Sequence, residues 1–181
     1  MKTKITIFFI FLFLAYILHG VLRKKLYSTK KIENKAIYDS KIPAMKMYYC
    51  IEKYSKEYDV PKDYLKAIAF QETKYCGPTD YNYDPNHTSS ANALGPMQVK
   101  LSTAKLLDKN ITQDKLLLDI DSNIRISAQL LKYLYNRYGD WQLAFGAYNT
   151  GHPCKNNYSK LIENKSFNWL TPSGNVFNKN K

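Results

Sequence analysis

Apolar residues recur at three- and four-residue intervals through the middle of the chain, the period of one buried helix face. Tyr48, Ile51, Tyr54 and Tyr58 form such a stripe and predict a helix over residues 44–58. Asp59-Val60-Pro61 interrupts it, and Pro61 stands where a first helical turn accepts a residue lacking an N–H. A second helix is predicted from there to about Tyr75, stopped by Gly77-Pro78. Residues 77–96 abandon the period for Gly, Pro, Asp, Asn, Ser and Thr, and read as a long loop or a small irregular β region. Short helices follow over 101–109 and 113–119. Asp121-Ser122-Asn123 then offers cap chemistry for a strong helix marked by Ile124, Ala128, Leu131, Tyr135 and Tyr138 and closed by Gly139. Asp140 caps one more, from Trp141 to Tyr148, which ends at Asn149-Thr150-Gly151. The fold expected is mostly α, with one irregular region in the middle.

The amino terminus has a different pattern. Met1-Lys2-Thr3-Lys4 precedes an uncharged apolar run, ITIFFIFLFLAYIL, over residues 5–18, the order of an export signal. No A-x-A-like cleavage site and no lipobox cysteine follows. Extended to Leu22 the run is about 18 residues, near the shortest length that spans a bilayer. Residues 1–22 therefore read as an uncleaved anchor, with a cleaved signal peptide as the alternative. Arg23, Lys24 and Lys25 beyond the run compete with Lys2 and Lys4 for the cytoplasmic side, which leaves the orientation open. Residues 23–42 read as a basic linker, 43–165 as one domain, and 166–181 as a polar, poorly ordered tail. The expected location is the cell envelope or periplasm, tethered to the inner membrane.

Composition narrows the partners. A chain of 181 residues that is 45% hydrophobic can build a core, which argues against wholesale disorder. A net charge of +12 suits a polyanion: nucleic acid, anionic lipid or an acidic wall polymer. No nucleotide-binding loop, nucleic-acid module or cofactor motif is present, so the wall polymer is favoured over nucleic acid. Sixteen tyrosines exceed what a domain this small can bury with their hydroxyls satisfied, so some line a surface or cleft.

Three cysteines allow at most one internal disulfide, and Cys76–Cys154 is the pair expected in an exported domain. A zinc set drawn from Cys76, His87, His152 and Cys154 lacks any common ligand spacing. Asp80, Asn82, Asp84 and Asn86 alternate as the first ligands of a calcium loop do. Yet Pro85 stands in the glycine position and Ala91 in that of the closing glutamate. Neither metal nor cofactor is expected.

One carboxylate stands apart. Glu72 follows Leu65 by seven residues and Ile68 by four, so it continues the stripe that Leu65, Ile68 and Ala69 begin. The plain reading is that it lies at the stripe's edge and turns to solvent near the helix end. The functional reading is a carboxyl held in an apolar wall, its pKa raised by desolvation and fit to act as a general acid. Cleavage of a glycoside needs such an acid, because the leaving oxygen must be protonated as the bond breaks.

Two later stretches favour the second reading. Gly95-Pro96-Met97-Gln98 forms a turn ending in an amide, and Ala147-Tyr148-Asn149 ends a helix released by Gly151. With Glu72-Thr73 before them, and the segment NIRISAQLLKYLYNRYGDWQLAFGAYNTG between, the chain resembles the lytic transglycosylases that carry the soluble-lytic-transglycosylase catalytic domain, relatives of goose-type lysozyme. The resemblance covers roughly residues 44–155. Glu72-Thr73 corresponds to the family's Glu-Ser pair, Gly95-Pro96-Met97-Gln98 to its Gly-Leu-Met-Gln motif, and Ala147-Tyr148-Asn149 to Ala-Tyr-Asn without change.

The resemblance implies an α+β lysozyme-like fold and a peptidoglycan substrate cleaved at the β-1,4 bond between N-acetylmuramic acid and N-acetylglucosamine. It makes Glu72 the single acid/base and has Tyr148 orient or hydrogen-bond that carboxylate from across the cleft. Gln98 and Met97 would line the sugar site, Gly95 would shape the turn, and Asn149 would support the cleft or hold an N-acetyl group. Thr73 keeps the usual serine's hydroxyl and would hold an amide or water. Pro96 departs from the usual Leu, and the spacer between Glu72 and Gly95 is several residues longer than is usual.

Alternatives stay open at this level. A hydrolytic muramidase would use Asp80 or Asp84 to hold water opposite Glu72. A non-catalytic glycan-binding component of an envelope-spanning assembly, its other partner unknown, would leave the carboxylate without a task. The setting could also be phage lysis.

Overall fold

The computed structural model describes residues 15–28, 41–165, 168–170 and 176–178, the last two segments by backbone alone. The chain divides into two compact units, Met1–Asp39 and Ser40–Lys181. In the first, helix α1 covers residues 15–28 with Tyr16, Leu18, Leu22 and Leu26 all exposed. Residues 5–14 of the expected anchor and 29–40 of the expected linker lie outside the described residues. Among the described residues no helix is long and apolar enough to cross a membrane.

The second unit is mostly helical, as its periodicity predicts. It runs through α2 (Pro43–Glu57), α3 (Lys62–Thr73), α4 (Leu101–Leu107), α5 (Gln113–Leu118), α6 (Ile120–Tyr138), α7 (Trp141–Thr150) and α8 (Asn157–Glu163). Between α3 and α4 lies the expected small β region. Strands β1 (Ala93–Leu94) and β2 (Val99–Lys100) pair antiparallel, Ala93 opposite Lys100 and Leu94 opposite Val99. The whole is the mostly-α, lysozyme-like architecture expected.

Helix α6 is the axis against which α2, α4, α5 and α7 pack. Its Ile124, Ile126 and Leu131 are fully buried together with Met47 and Ile51 of α2, Leu65 and Ile68 of α3, and Phe145 of α7. Each large apolar side chain so removed from water contributes roughly 1.5–3 kcal/mol. A polar clasp fixes the register of α2 on α6. The Tyr54 hydroxyl donates to Asp121 Oδ2 at 2.6 Å, and Lys53 Nζ lies 3.3 Å from Asp121 Oδ1. An aromatic cluster joins α3, α6 and α7, with Tyr135 stacked on Trp141 at 4.0 Å and Tyr64 edge-on to Phe145 at 4.9 Å.

Among the departures from the expected elements, four stand out. Helix α6 starts at Ile120 because Asp119 caps it, its carboxylate accepting from the Asp121 amide at 3.2 Å. That leaves Asn123, expected in the cap, inside the helix and fully buried. Helix α3 ends at Thr73, short of Tyr75, because Lys74 takes the left-handed conformation with φ 61°. Helix α8 had no counterpart in the sequence reading; a reciprocal capping box between Asn156 and Ser159 starts it. Finally, part of the tail expected to be poorly ordered is paired. Strands β3 (Asn168–Leu170) and β4 (Val176–Asn178) form an antiparallel hairpin, and the rest of 166–181 lies outside the described residues.

Candidate active site

The stripe of α3 buries Leu65, Ile68 and Ala69 completely and then delivers Glu72, partly buried, one residue before the helix ends. Burial raises the Glu72 pKa, since water no longer solvates the charge; the Tyr158 hydroxyl and the Lys74 ammonium act the other way and offset part of the rise. Tyr158, from the second position of α8, donates its hydroxyl hydrogen to Glu72 Oε1 at 2.6 Å. Oε1 is thus engaged, while no bond holds Oε2 among the described residues. A protonated Glu72 can therefore carry its proton on Oε2 without giving up its anchor.

Tyr148 does not make the contact that the resemblance implies. Its hydroxyl donates to the Met97 carbonyl at 2.8 Å. It nevertheless lies close enough to Glu72 for that charge, after burial, to push its own pKa up, so it stays a neutral phenol throughout the working range. The hydrogen bond to the carboxylate comes instead from Tyr158, which the sequence reading did not single out, while Tyr148 is tied to the Met97 carbonyl. Tyr158 was missed because its helix was missed. The one available signal was Asn156-Asn157-Tyr158-Ser159, whose first and last members form the capping box.

Thr73 is a junction rather than a ligand for a loose amide or water. Its Oγ1 lies 2.9 Å from the Pro96 carbonyl, to which it donates, and 2.7 Å from the Tyr83 hydroxyl. The end of α3 is thereby tied both to the β1–β2 turn and to the long loop before it. Tyr83 packs in turn on Tyr75 at 5.1 Å, and the Tyr75 hydroxyl donates to the Ala44 carbonyl at 2.8 Å.

The turn itself is held from behind. Asn123 donates from Nδ2 to the Leu94 carbonyl at 2.9 Å and the Leu116 carbonyl at 2.8 Å, and it accepts from the Met97 amide at 3.0 Å. Both amide hydrogens and the oxygen of this buried side chain are satisfied. Gly95 sits directly over it with φ +70°, and a Cβ there would come within 2.3 Å of Leu116 O and 2.5 Å of Asn123 Nδ2. Only glycine fits that position on both counts.

Met97 is fully buried, so it does not line a sugar site; its backbone amide and carbonyl do the work through Asn123 and Tyr148. Gln98, at φ 50°, spends its Nε2 on the carbonyls of Gly95 at 2.8 Å and His87 at 3.1 Å, which leaves its oxygen as the group free to meet a ligand. Asn149 is exposed at the end of α7, its Oδ1 3.5 Å from Asn156 Nδ2, and so adjoins the cap of the helix that carries Tyr158.

A second close approach positions α8. A Cβ on Gly146 would come within 1.8 Å of the Cys154 carbonyl oxygen, so the segment entering α8 lies directly on the backbone of α7. The distance from Tyr158 to Glu72 therefore depends on a residue with no side chain.

The two loop carboxylates have separate surroundings. Asp84 is exposed and accepts the Asn86 amide at 2.9 Å within its own turn. The charge of Asp80 is felt at Tyr75, Cys76 and Tyr83. The expected Cys76–Cys154 bridge is absent, and all three cysteines are free thiols. Local partners take the sulfurs instead: Cys76 Sγ lies 3.1 Å from Lys74 O, and Cys154 Sγ 3.7 Å from Thr150 Oγ1. Cys50 is buried, and burial together with Asp121 pushes its thiol up to about 12. Among the described residues no three His, Cys, Asp or Glu side chains gather as a metal site.

The family model described as "Transglycosylase SLT domain" matches residues 49–170, a span that runs from α2 to β3 and contains Glu72, Thr73, the β1–β2 turn, Tyr148 and Tyr158. No curated protein matches the chain.

Proposed function

Because this chain belongs to the transglycosylase SLT domain family, whose members degrade peptidoglycan, we propose that it cleaves the β-1,4 bond between N-acetylmuramic acid and N-acetylglucosamine with Glu72 as the single acid/base. The observation that carries this reading is a carboxyl group partly buried, raised in pKa by that burial, and anchored on one oxygen by Tyr158. Such a group is protonated more readily than an ordinary carboxylate and is oriented before substrate arrives.

Glu72 gives its proton from Oε2 to the glycosidic oxygen as the bond to the muramoyl anomeric carbon breaks. The muramoyl N-acetyl oxygen assists at that carbon, so no enzyme nucleophile is needed. Glu72, now ionised and stabilised by the Tyr158 hydroxyl, takes the proton of the C6 hydroxyl. The C6 oxygen then bonds to the anomeric carbon, which releases the N-acetyl oxygen and closes a 1,6-anhydro ring without consuming water. Support for one carboxylate rather than two comes from Asp84, which is exposed and occupied in its own turn.

The cellular setting belongs to the same proposal. An exported protein tethered by residues 1–22 would present its basic domain to the wall, and the exposed apolar side chains of α1 suit a lipid environment. The decisive experiment is digestion of purified peptidoglycan with mass spectrometry of the fragments. Anhydromuramoyl ends are expected. Reducing ends that have gained water would replace this reading with a muramidase, and no cleavage at all with a glycan-binding role.

A further inference from the structure

The long loop between α3 and β1 is polar and mostly exposed, and over residues 78–92 only Tyr83 and Pro85 are buried. Asn82 and Asp84, on either side of Tyr83, are exposed. The loop thus sends one aromatic side chain inward, where its ring packs on that of fully buried Tyr75 at 5.1 Å. Phenylalanine would serve that packing equally well. A buried hydroxyl costs stability unless it finds a partner. Here the partner is Thr73 Oγ1, 2.7 Å away and one residue beyond the acid.

Counting hydrogens sets the direction of that bond. Thr73 Oγ1 carries one hydrogen and has three oxygen neighbours: the Pro96 carbonyl at 2.9 Å, the Ala69 carbonyl at 3.2 Å and the Tyr83 hydroxyl. Carbonyls only accept, so the threonine hydrogen goes to them, with Pro96 the nearer. Lone pairs remain on Oγ1, and Tyr83 meets one of them as a donor. Burial pushes the Tyr83 pKa up, so the hydroxyl keeps the hydrogen that it shares. Two bonds therefore run in one sense, from Tyr83 through Thr73 to Pro96, and bonds so aligned polarise and strengthen each other. The Ala69 carbonyl, four residues back on α3, competes for the same threonine hydrogen. The tie across to Pro96 thus depends on how well Thr73 is held from its other side. One end of this tie is the last turn of the helix carrying Glu72; the other is the β1–β2 turn, whose Met97 carbonyl accepts from Tyr148.

We propose that Tyr83 is a positioning residue for the acid: its hydroxyl, acting through Thr73, fixes the end of α3 against the β1–β2 turn and so holds Glu72 in place for the reaction. This rests on the reading of Glu72 as the acid and adds to it a buried group supplied by the long loop.

The test is a double-mutant cycle on the full chain, read by steady-state cleavage of soluble peptidoglycan strands, with thermal melting as the check on folding. Tyr83→Phe keeps the ring and removes the donor. Thr73→Val keeps the shape of the side chain and removes the relay. Each should lower kcat about five- to ten-fold with KM changed by less than about two-fold. The double variant should be no slower than Thr73→Val, because the tyrosine acts only through the threonine. Thr73→Ser, which keeps the hydroxyl, should restore most of the rate. Additive losses, a change in KM as large as that in kcat, or full kcat in either single variant overturns the proposal. If Tyr83→Phe melts too early to assay, Thr73→Val against Thr73→Ser decides, and equal rates overturn it. Wild-type protein that cleaves no peptidoglycan overturns the catalytic reading and this proposal with it. An active wild type with an unaffected Tyr83→Phe overturns this proposal alone.

Discussion

Tyr158 reaches Glu72 from 86 residues further along the chain and donates to Oε1 at 2.6 Å. The hydroxyl favours the ionised carboxylate while burial favours the neutral one, and burial is the larger influence. This opposition makes the working pH of the site adjustable. Tyr158→Phe removes the donor and leaves the ring, so the Glu72 pKa climbs further. The alkaline limb of the pH profile of kcat/KM should move to higher pH, with activity at neutral pH down roughly ten- to a hundred-fold for one hydrogen bond to a charged group. An unmoved limb would remove Tyr158 from its assigned role.

Glu72→Gln should abolish cleavage and, at neutral pH, stabilise the fold. A folded-state pKa raised by burial means the native state favours the protonated acid. The stability linked to that proton is fully present below the unfolded pKa and is lost as pH rises through the folded one. Glutamine carries no charge to desolvate and still accepts from Tyr158. Urea unfolding should show the variant more stable than wild type at pH 7, with the difference shrinking as pH falls toward the unfolded carboxyl pKa.

Asn123 is a structural centre of the site although it touches no substrate. Asn123→Leu leaves two carbonyls and one amide unpaired in the core, each costing about 1–3 kcal/mol. Asn123→Asp keeps the Met97 amide bond and loses the two donations. Denaturant midpoints should fall in both variants, more in the leucine one.

Gly146→Ala tests the backbone contact between α7 and Cys154. Since the added Cβ would sit 1.8 Å from a carbonyl oxygen, the segment entering α8 must shift. Activity should fall and the pH profile should move in the same direction as in Tyr158→Phe, because the same hydrogen bond is lengthened.

The thiols give a chemical check on the absent bridge. Three should titrate with a thiol reagent after denaturation. Cys50, buried and with its pKa near 12, should stay unreactive in the native protein. A count of one after denaturation would restore the disulfide.

The long periodic helices were legible in the sequence because each buries a stripe against a neighbour: α2, α3, α6 and α7 were expected within a few residues of their positions. Gly139 and Asp140 acted as punctuation where expected, the first in the left-handed C-cap of α6 and the second capping the Leu143 amide. The helix carrying Tyr158 was not legible because its seven residues offer too little periodicity to register. Asn123 was misread for a chemical reason. Asparagine is a good cap and a good buried staple, and only the arrival of the Gly95 turn decides between them. Glu72 was readable as a misplaced carboxylate, but which tyrosine holds it depends on the path of the chain after Gly151.

The hydroxyl of Thr73 has a consequence for how this chain can change. It binds Pro96 at one end of the loop and Tyr83 further back, so both attachments converge one residue beyond the acid. The stretch between them behaves as a span resting on two piers that share one foundation. Length added at the exposed tip, between Ser90 and Ala91, would extend the loop beyond the bond from the Ser89 amide to the Ala93 carbonyl without shifting the piers, so that end of the loop can be rebuilt while the geometry around Glu72 stays as it is.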